Sequence, residues 1–432
     1  MTVTFVGHGY VGLVSAAVFA DMGNTVWVIG HTPSKVENLK KGIIPIYEPG
    51  LEELVKRNVD AGRLLFTLDY KPAIGASDVV FIAVGTPPKP TGEADLVVVY
   101  EVAEKIGKNL KDYTVVITKS TVPTGTNRRV KKIIEESKVS GANFDVASVP
   151  EFLREGQAIS DTQHPDRVVI GTESKKAQDL LVALHEPLKG ERVLTTIETA
   201  EMIKYAANAF LATKISFANA IAELCEKVGA QGPQVLEGIG LDERIGQAFL
   251  NAGVGYGGSC FPKDVKALIA IARDQDYDFT LLKEVEAINK HSMTRVVARV
   301  QDVIGDLKGK TIAVLGLAFK PDTDDMRDAP SLTIIPELLS RGALVRAYDP
   351  VAQENAKHLL KEHNGLLFAK NAYVAVTGAD LLLLITEWNE FKEIDLIKVK
   401  SLMKGNGLVD GRNIYDPKKV RELGFEYKGI GR

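Results

Sequence analysis

Only two cysteines, Cys225 and Cys260, occur in 432 residues, so a disulfide scaffold is excluded. Net charge is equally scarce. A formal charge of -3 offers no field to hold nucleic acid or an anionic membrane surface. No uninterrupted apolar run approaches the length of a bilayer span, and no low-complexity tract breaks the chain. The first residues, Met1-Thr2-Val3-Thr4-Phe5-Val6-Gly7, enter an apolar run at once, with no basic region, signal core or cleavage site. These absences predict a cytoplasmic protein with no nucleic-acid and no membrane partner.

What is present is ordinary globular material, 45% hydrophobic and 25% charged, long enough for two or three domains. Short apolar runs at 3–6, 26–29, 79–84 and 115–118 read as buried strands. Between them lie helical stretches at 10–22, 98–110 and 128–137. Strands alternating with helices predict a parallel sheet covered on both faces. The middle differs. Residues 199–228 are Ala-rich, without Pro or Gly, and read as one long helix, and 281–304 reads as another. The α/β pattern then restarts, with strands at 311–315, 344–348, 381–385 and 408–410 and a helix at 332–341. The fold class expected is α/β: two Rossmann-like doubly wound domains, 1–197 and 306–432, joined by a central long-helix region at 198–305.

Gly7-His8-Gly9-Tyr10-Val11-Gly12 follows a strand and opens a helix, the context that the G-x-G-x-x-G fingerprint needs. Gly7 allows the tight turn, Gly9 the approach of a pyrophosphate, and Gly12 close packing of helix on strand. The helix N-terminus adds free N–H groups and a positive dipole end. One element is missing. The second strand ends Val28-Ile29-Gly30-His31-Thr32, and Gly30 stands where an acid would bind the ribose 2′-hydroxyl. Two readings follow. NAD is bound through its remaining contacts, or discrimination against NADP is weakened or reversed, with His31, Thr32, Ser34 and Lys35 placed to hold a 2′-phosphate.

Cys260 sits in Gly257-Gly258-Ser259-Cys260-Phe261-Pro262-Lys263-Asp264. A lone cysteine is usually a buried inert thiol, and Cys225, inside the long helix, fits that description. Cys260 has glycines before it and Lys263 and Asp264 after it, and a nearby cation favours thiolate. A thiol beside a dinucleotide site can capture an aldehyde as a thiohemiacetal. Oxidation to a thioester and hydrolysis then complete an alcohol-to-acid conversion with two cofactors in turn. Lys204 and Asn208, four residues apart on the long helix, share a face, and Asn219 returns near it.

These residues bear a family resemblance. The chain resembles the UDP-glucose 6-dehydrogenases, within the larger UDP-glucose/GDP-mannose dehydrogenase family. The markers run nearly end to end: the turn 7–12, Pro45-Ile46-Tyr47-Glu48-Pro49-Gly50-Leu51, Gly85-Thr86-Pro87, Lys119-Ser120-Thr121-Val122-Pro123, and Pro150-Glu151-Phe152-Leu153-Arg154-Glu155-Gly156. Pro165-Asp166-Arg167, Lys204-Tyr205-Ala206-Ala207-Asn208, the run 255–264 and Gly316-Leu317-Ala318-Phe319-Lys320 continue them.

The resemblance implies a cofactor-binding domain, a central dimerisation region and a domain for the nucleotide of the sugar, in a homodimeric enzyme using NAD and no metal. It makes Cys260 the nucleophile. Lys204 and Asn208 become stabilisers of alkoxide and oxyanions, with Lys204 also a candidate base. Asp264 works with Thr121 on water, Glu155 serves in acid–base steps, and Glu151 orders water. Gly85, Thr86, Thr121, Glu155, Lys263 and Arg327 join the cofactor positions, with Arg327 near the nucleotide. For the substrate it implies Glu151, Phe152, Leu153, Lys204, Asn208, Phe249, Leu250, Asn251, Gly253, Tyr256, Gly257, Phe319, Lys320 and Arg244, the last reaching a neighbouring subunit's substrate. The second α/β domain, with only Gly316-Leu317-Ala318, is not expected to hold a second nicotinamide. Val149 and Ala220 depart from the family's usual Asn and Glu. UDP-glucose is the favoured substrate and GDP-mannose an alternative. A two-electron hydroxyacid dehydrogenase and a non-catalytic nucleotide-sugar-binding protein are the other readings.

Overall fold

Two sheets, each with a glycine turn after its first strand, organise the chain. The computed structural model describes residues 1–139, 141–360 and 363–432. The first sheet comprises β1 (Thr2–Val6), β2 (Thr25–Ile29), β3 (Leu64–Thr67), β4 (Val79–Ile82), β5 (Thr114–Thr118), β6 (Phe144–Ser148), β7 (Arg167–Thr172) and β8 (Glu191–Thr195), in the order β3-β2-β1-β4-β5-β6-β7-β8. The second comprises β9 (Thr311–Leu315), β10 (Leu344–Tyr348), β11 (Leu366–Phe368), β12 (Leu381–Leu384), β13 (Gly407–Asp410) and β14 (Glu426–Lys428), in the order β11-β10-β9-β12-β13-β14. Both therefore share the doubly wound Rossmann order. The central strands β4, β5 and β12 are buried at every residue because helices cover both faces, which is why they read as unbroken apolar runs.

One expectation needs correction. The first sheet is not wholly parallel, because β7 pairs with β6 antiparallel, and β8 follows β7 in parallel. The segment between β6 and β7 holds only the short helix Ala158–Gln163. It makes no crossover to the far end of the sheet, so the next strand must run back.

The chain divides into two compact units, Met1–Ala207 with Lys266–Gln275, and Asn208–Val265 with Asp276–Arg432. In the first unit, Phe5 stacks on Phe81 at 4.6 Å, and Phe19 meets the edge of His185 at 5.4 Å. The second unit is built around β9 to β14. The long helix spans Ile197–Val228. Gly229, at φ 76, ends it, and the Ala230 N–H returns to the Cys225 carbonyl at 3.0 Å. Among the described residues no helix is long and apolar enough to cross a membrane.

Candidate active site

At the start of the first sheet, Gly7 has φ +119, and an added Cβ would lie 2.3 Å from the Ala83 carbonyl oxygen. At Gly12 a Cβ would meet the Gly7 carbonyl oxygen at 2.2 Å. Gly9 and Gly85 have nothing within 4 Å of theirs, so both open outward. The helix Tyr10–Asp21 starts at Gly9 with no side-chain cap. Its first N–H groups and its positive end therefore face an open cradle suited to a pyrophosphate. The Tyr10 hydroxyl donates to the Tyr47 carbonyl, and Thr86 Oγ1 donates to the Thr121 carbonyl at 3.0 Å. These residues fit a bound dinucleotide.

Two carboxylates from distant parts of the first unit fix the loops after β6 and β5. Glu48 accepts from the backbone N–H of Gly156 at 2.6 Å and Ala158 at 2.7 Å. That is the physical use of the Glu in the 45–51 motif. Glu201, on the long helix, accepts from Gly125 N (2.7 Å), Asn127 N (2.9 Å) and Asn127 Nδ2 (2.8 Å), at the start of the helix Thr126–Ser137. Burial raises its carboxyl above the usual range, against those donated bonds. The anchor sets the rotation of the long helix, and Lys204 follows three residues later on the neighbouring face.

Lys204 meets Glu151: Nζ to Oε1 is 3.2 Å, with side chains only 4% and 7% exposed. Glu151 Oε2 also accepts from Leu153 N at 2.8 Å. The Phe152 ring lies under the Arg167 guanidinium at 3.9 Å and 5.2 Å from Lys204 Nζ, which gives Arg167 of the Pro165-Asp166-Arg167 motif its role. Sequence reading missed Lys119. It is buried at the end of β5, its Nζ 5.6 Å from the Phe81 ring. Burial pulls its pKa down to about 8, the Glu151 carboxylate partly offsets this, and the Lys204 cation adds to it. Two lysines thus act on one buried carboxylate. A lysine in a strand-end motif shows nothing of this in sequence. Thr121 and Glu155 are both buried in the same unit.

In the second unit, Cys260 immediately precedes the helix Phe261–Arg273, and its carbonyl accepts from Asp264 N at 2.9 Å. The thiol is therefore at a helix N-terminus, where the dipole favours thiolate. Its sulfur lies 3.6 Å from Ser259 Oγ. Asp264 is fully buried and held from two sides, by Asn208 Nδ2 at 2.6 Å and by the Lys263 ammonium. Lys263 thus spends its charge on Asp264. Cys225 is 5% exposed within the long helix.

Three regions of the chain match sequence profiles of one family. Residues 1–189 match its NAD binding domain, 198–291 its central domain and 313–417 its UDP binding domain. A UDP-glucose 6-dehydrogenase of Rhizobium meliloti is 51% identical over 441 residues, covering 100% of both chains. Another, from Bacillus subtilis, is 49% identical over 430 residues, covering 100% of this chain and 93% of the relative. A solved UDP-glucose dehydrogenase from the archaeon Pyrobaculum islandicum superposes with a TM-score of 0.92 at 38% identity, over 99% of this chain and 97% of that one. The chain belongs to the UDP-glucose/GDP-mannose dehydrogenase family. It is an NAD-dependent oxidoreductase.

The remaining residues that the UDP-glucose/GDP-mannose dehydrogenase resemblance singled out lie mostly in a glycine-rich loop before Cys260, built by the second unit. Phe249 takes φ 64, and its ring lies 6.0 Å from that of Phe261. Leu250 is buried and Asn251 exposed. Gly253 N donates to Asn219 Oδ1 at 2.7 Å, so Asn219 shapes the loop. Tyr256 N donates to Asn289 Oδ1 at 2.8 Å, and Asn289 Nδ2 returns to the Tyr256 carbonyl at 3.0 Å. Burial pushes the Tyr256 hydroxyl well above its usual range. Gly257 and Gly258 leave no room for side chains: an added Cβ would lie 2.2 Å from the Asp328 carbonyl oxygen and 2.7 Å from the Phe319 ring respectively. Lys320 Nζ stands 5.6 Å over Phe319. Arg412, which sequence reading missed, donates to the Ile385 carbonyl at 2.7 Å and the Phe319 carbonyl at 3.2 Å. Arg327 is paired with Asp325 at 2.8 Å, and Arg244, 89% exposed, with Asp242 at 2.6 Å.

Proposed function

We propose that this chain is a UDP-glucose 6-dehydrogenase, converting UDP-glucose to UDP-glucuronate by two successive oxidations at C6. The observation that carries the reading is the thiol at a helix N-terminus, four residues before a fully buried carboxylate held by an amide and an ammonium. Such a thiol is suited to covalent catalysis.

When bound, NAD supplies the hydride acceptor for each oxidation, and it is held by the turn 7–12, Gly85 and Thr86. The chain's own residues do the rest. Lys204 and Asn208, one turn apart, donate to the C6 oxygen while it carries negative charge. Cys260 Sγ adds to the aldehyde carbon to give a thiohemiacetal, whose oxidation gives a thioester. Water then adds to the thioester carbon and the thiolate leaves. Asp264 and Thr121 position that water, Glu155 moves protons, and Glu151 keeps Lys204 in place.

The chain reads as three functional parts: a cofactor domain at 1–197, a central helical region at 198–305 and a UDP-sugar domain at 306–432. In this reading Phe249, Leu250, Asn251, Gly253 and Tyr256 receive the diphosphate and sugar, with Lys320. We also propose a homodimer through the long helix. Phe210, Phe217 and Leu224 are 66%, 49% and 54% exposed at seven-residue spacing, an apolar stripe that a second copy would bury. A content of only two cysteines in 432 residues supports a cytoplasmic setting.

The test is the stoichiometry of reduced cofactor across UDP-glucose, UDP-galactose and GDP-mannose. Two per UDP-glucose, with little turnover of the others, is expected. One per sugar, or preference for GDP-mannose, would replace this reading.

A further inference from the structure

Strand β2 ends at Ile29, and the next residue, Gly30, occupies the place of the acid that binds the adenine ribose in dinucleotide folds. No side chain fits there without rearrangement. A Cβ on Gly30 would lie 2.4 Å from Cγ2 of buried Val36 and 3.2 Å from Nδ1 of His8. His8 belongs to the glycine turn itself. It is 5% exposed, and its Nδ1, directed at Gly30, has no hydrogen-bond partner among the described residues.

The His8 ring lies 4.9 Å from that of His31. Burial, then the charges of His31 and Lys35, hold His8 below the usual imidazole range. No carboxylate is among the charges acting on it. His31 and Lys35 are exposed, at the start of the helix Pro33–Lys40, whose N-cap residue Thr32 makes no side-chain cap. A buried unpaired ring nitrogen, two exposed basic side chains and an uncapped helix start therefore surround the place where the acid is missing.

We infer that the adenosine end of this site accepts a 2′-phosphate, so that the chain binds NADP(H) as well as NAD(H). The inference rests on the dinucleotide reading of the turn 7–12. An acid at position 30 would repel a phosphate dianion; here that repulsion is gone. His31 and Lys35 supply charge-assisted contacts to the phosphate, and the helix start adds N–H donors.

Calorimetric titration of the full chain with NADH and with NADPH, without sugar, tests this. The two dissociation constants are expected to agree within about tenfold. NADH binding tighter by more than that overturns the proposal and leaves the dinucleotide site intact. Failure of both to bind overturns the dinucleotide reading as well. In the double variant His31→Ala/Lys35→Ala, NADPH affinity should fall at least about fivefold more than NADH affinity, the scale of losing charge-assisted bonds. Equal losses for the two cofactors would remove these side chains from phosphate recognition and sink the inference.

Discussion

The residue after the second strand of each sheet makes an instructive pair. In the second sheet it is Asp349, after β10; in the first it is Gly30, after β2. The strand orders are the same, yet the two ends are opposite in chemistry. Asp349 Oδ2 accepts from Leu317 N (2.7 Å), Ala318 N (3.1 Å) and Trp388 Nε1 (3.1 Å), and Oδ1 accepts from Val351 N (2.9 Å) and Ala352 N (2.8 Å). The carboxylate consumes the N–H groups of its own glycine turn, which a phosphate would otherwise use. In the first sheet Gly30 brings no carboxylate to the turn, and Gly9 opens outward. One topology thus yields a dinucleotide cradle or a closed structural turn, depending on where one acid goes.

The comparison can be broken most severely at Asp349. Asp349→Ala strands several buried donors at once, and unfolding in urea should show a loss of ~4 kcal/mol or more, given ~1–3 kcal/mol per unsatisfied buried group. A loss under ~1 kcal/mol would mean those donors find water and the turn is not closed by the acid. The reverse exchange, Gly30→Asp, should destabilise by ~1–3 kcal/mol through its clash with Val36, and Gly30→Asp/Val36→Ala should recover part of it.

Burial also shifts ionisable groups in each unit. The first holds His185, which burial drops to about 3, and Lys119, dropped to about 8. The second holds Tyr415 and Tyr427, pushed up by burial and then by Asp410. His185 is lowered from 6.5, so the unfolded chain takes up its proton first, and stability is lost as pH falls from about 6.5 toward about 3. Melting of the wild type should cost ~2 kcal/mol between pH 7 and pH 5, a slope that His185→Leu flattens. Lys119 runs the other way. Its buried cation is a penalty present below about 8 and relieved as pH rises toward 10.5. Lys119→Met should remove a gain of ~2 kcal/mol between pH 8 and pH 10. Trp27 in β2 and Trp388 in the second unit allow each unit to be followed separately in single-Trp variants. If the acid response appears only at Trp388, the assignment to His185 fails.

Much of this was legible in the residues. Strands 311–315 and 344–348 and the long helix stand where apolar runs and the absence of Pro and Gly put them, because buried strands and an Ala-rich helix are written locally. The short strands β3, β11 and β14 were not, since three or four residues at a sheet edge carry little pattern. The reversal of β7 was hidden because direction is decided by a connection's path, not its composition. In the site, the glycine turn and Cys260 announce themselves by spacing. Lys119, Glu201, Asn289 and Arg412 do not, because each acts on a residue far away in sequence.

The central claim is that Cys260 carries the sugar between its two oxidations. Intact and peptide mass spectrometry of Glu155→Gln incubated with UDP-glucose and NAD tests it most directly, since slowed hydrolysis should let the thioester accumulate. The account predicts a UDP-glucuronyl adduct on the peptide containing Cys260 and none in Cys260→Ser. Steady formation of UDP-glucuronate by Cys260→Ser, with no adduct on either protein, would contradict it.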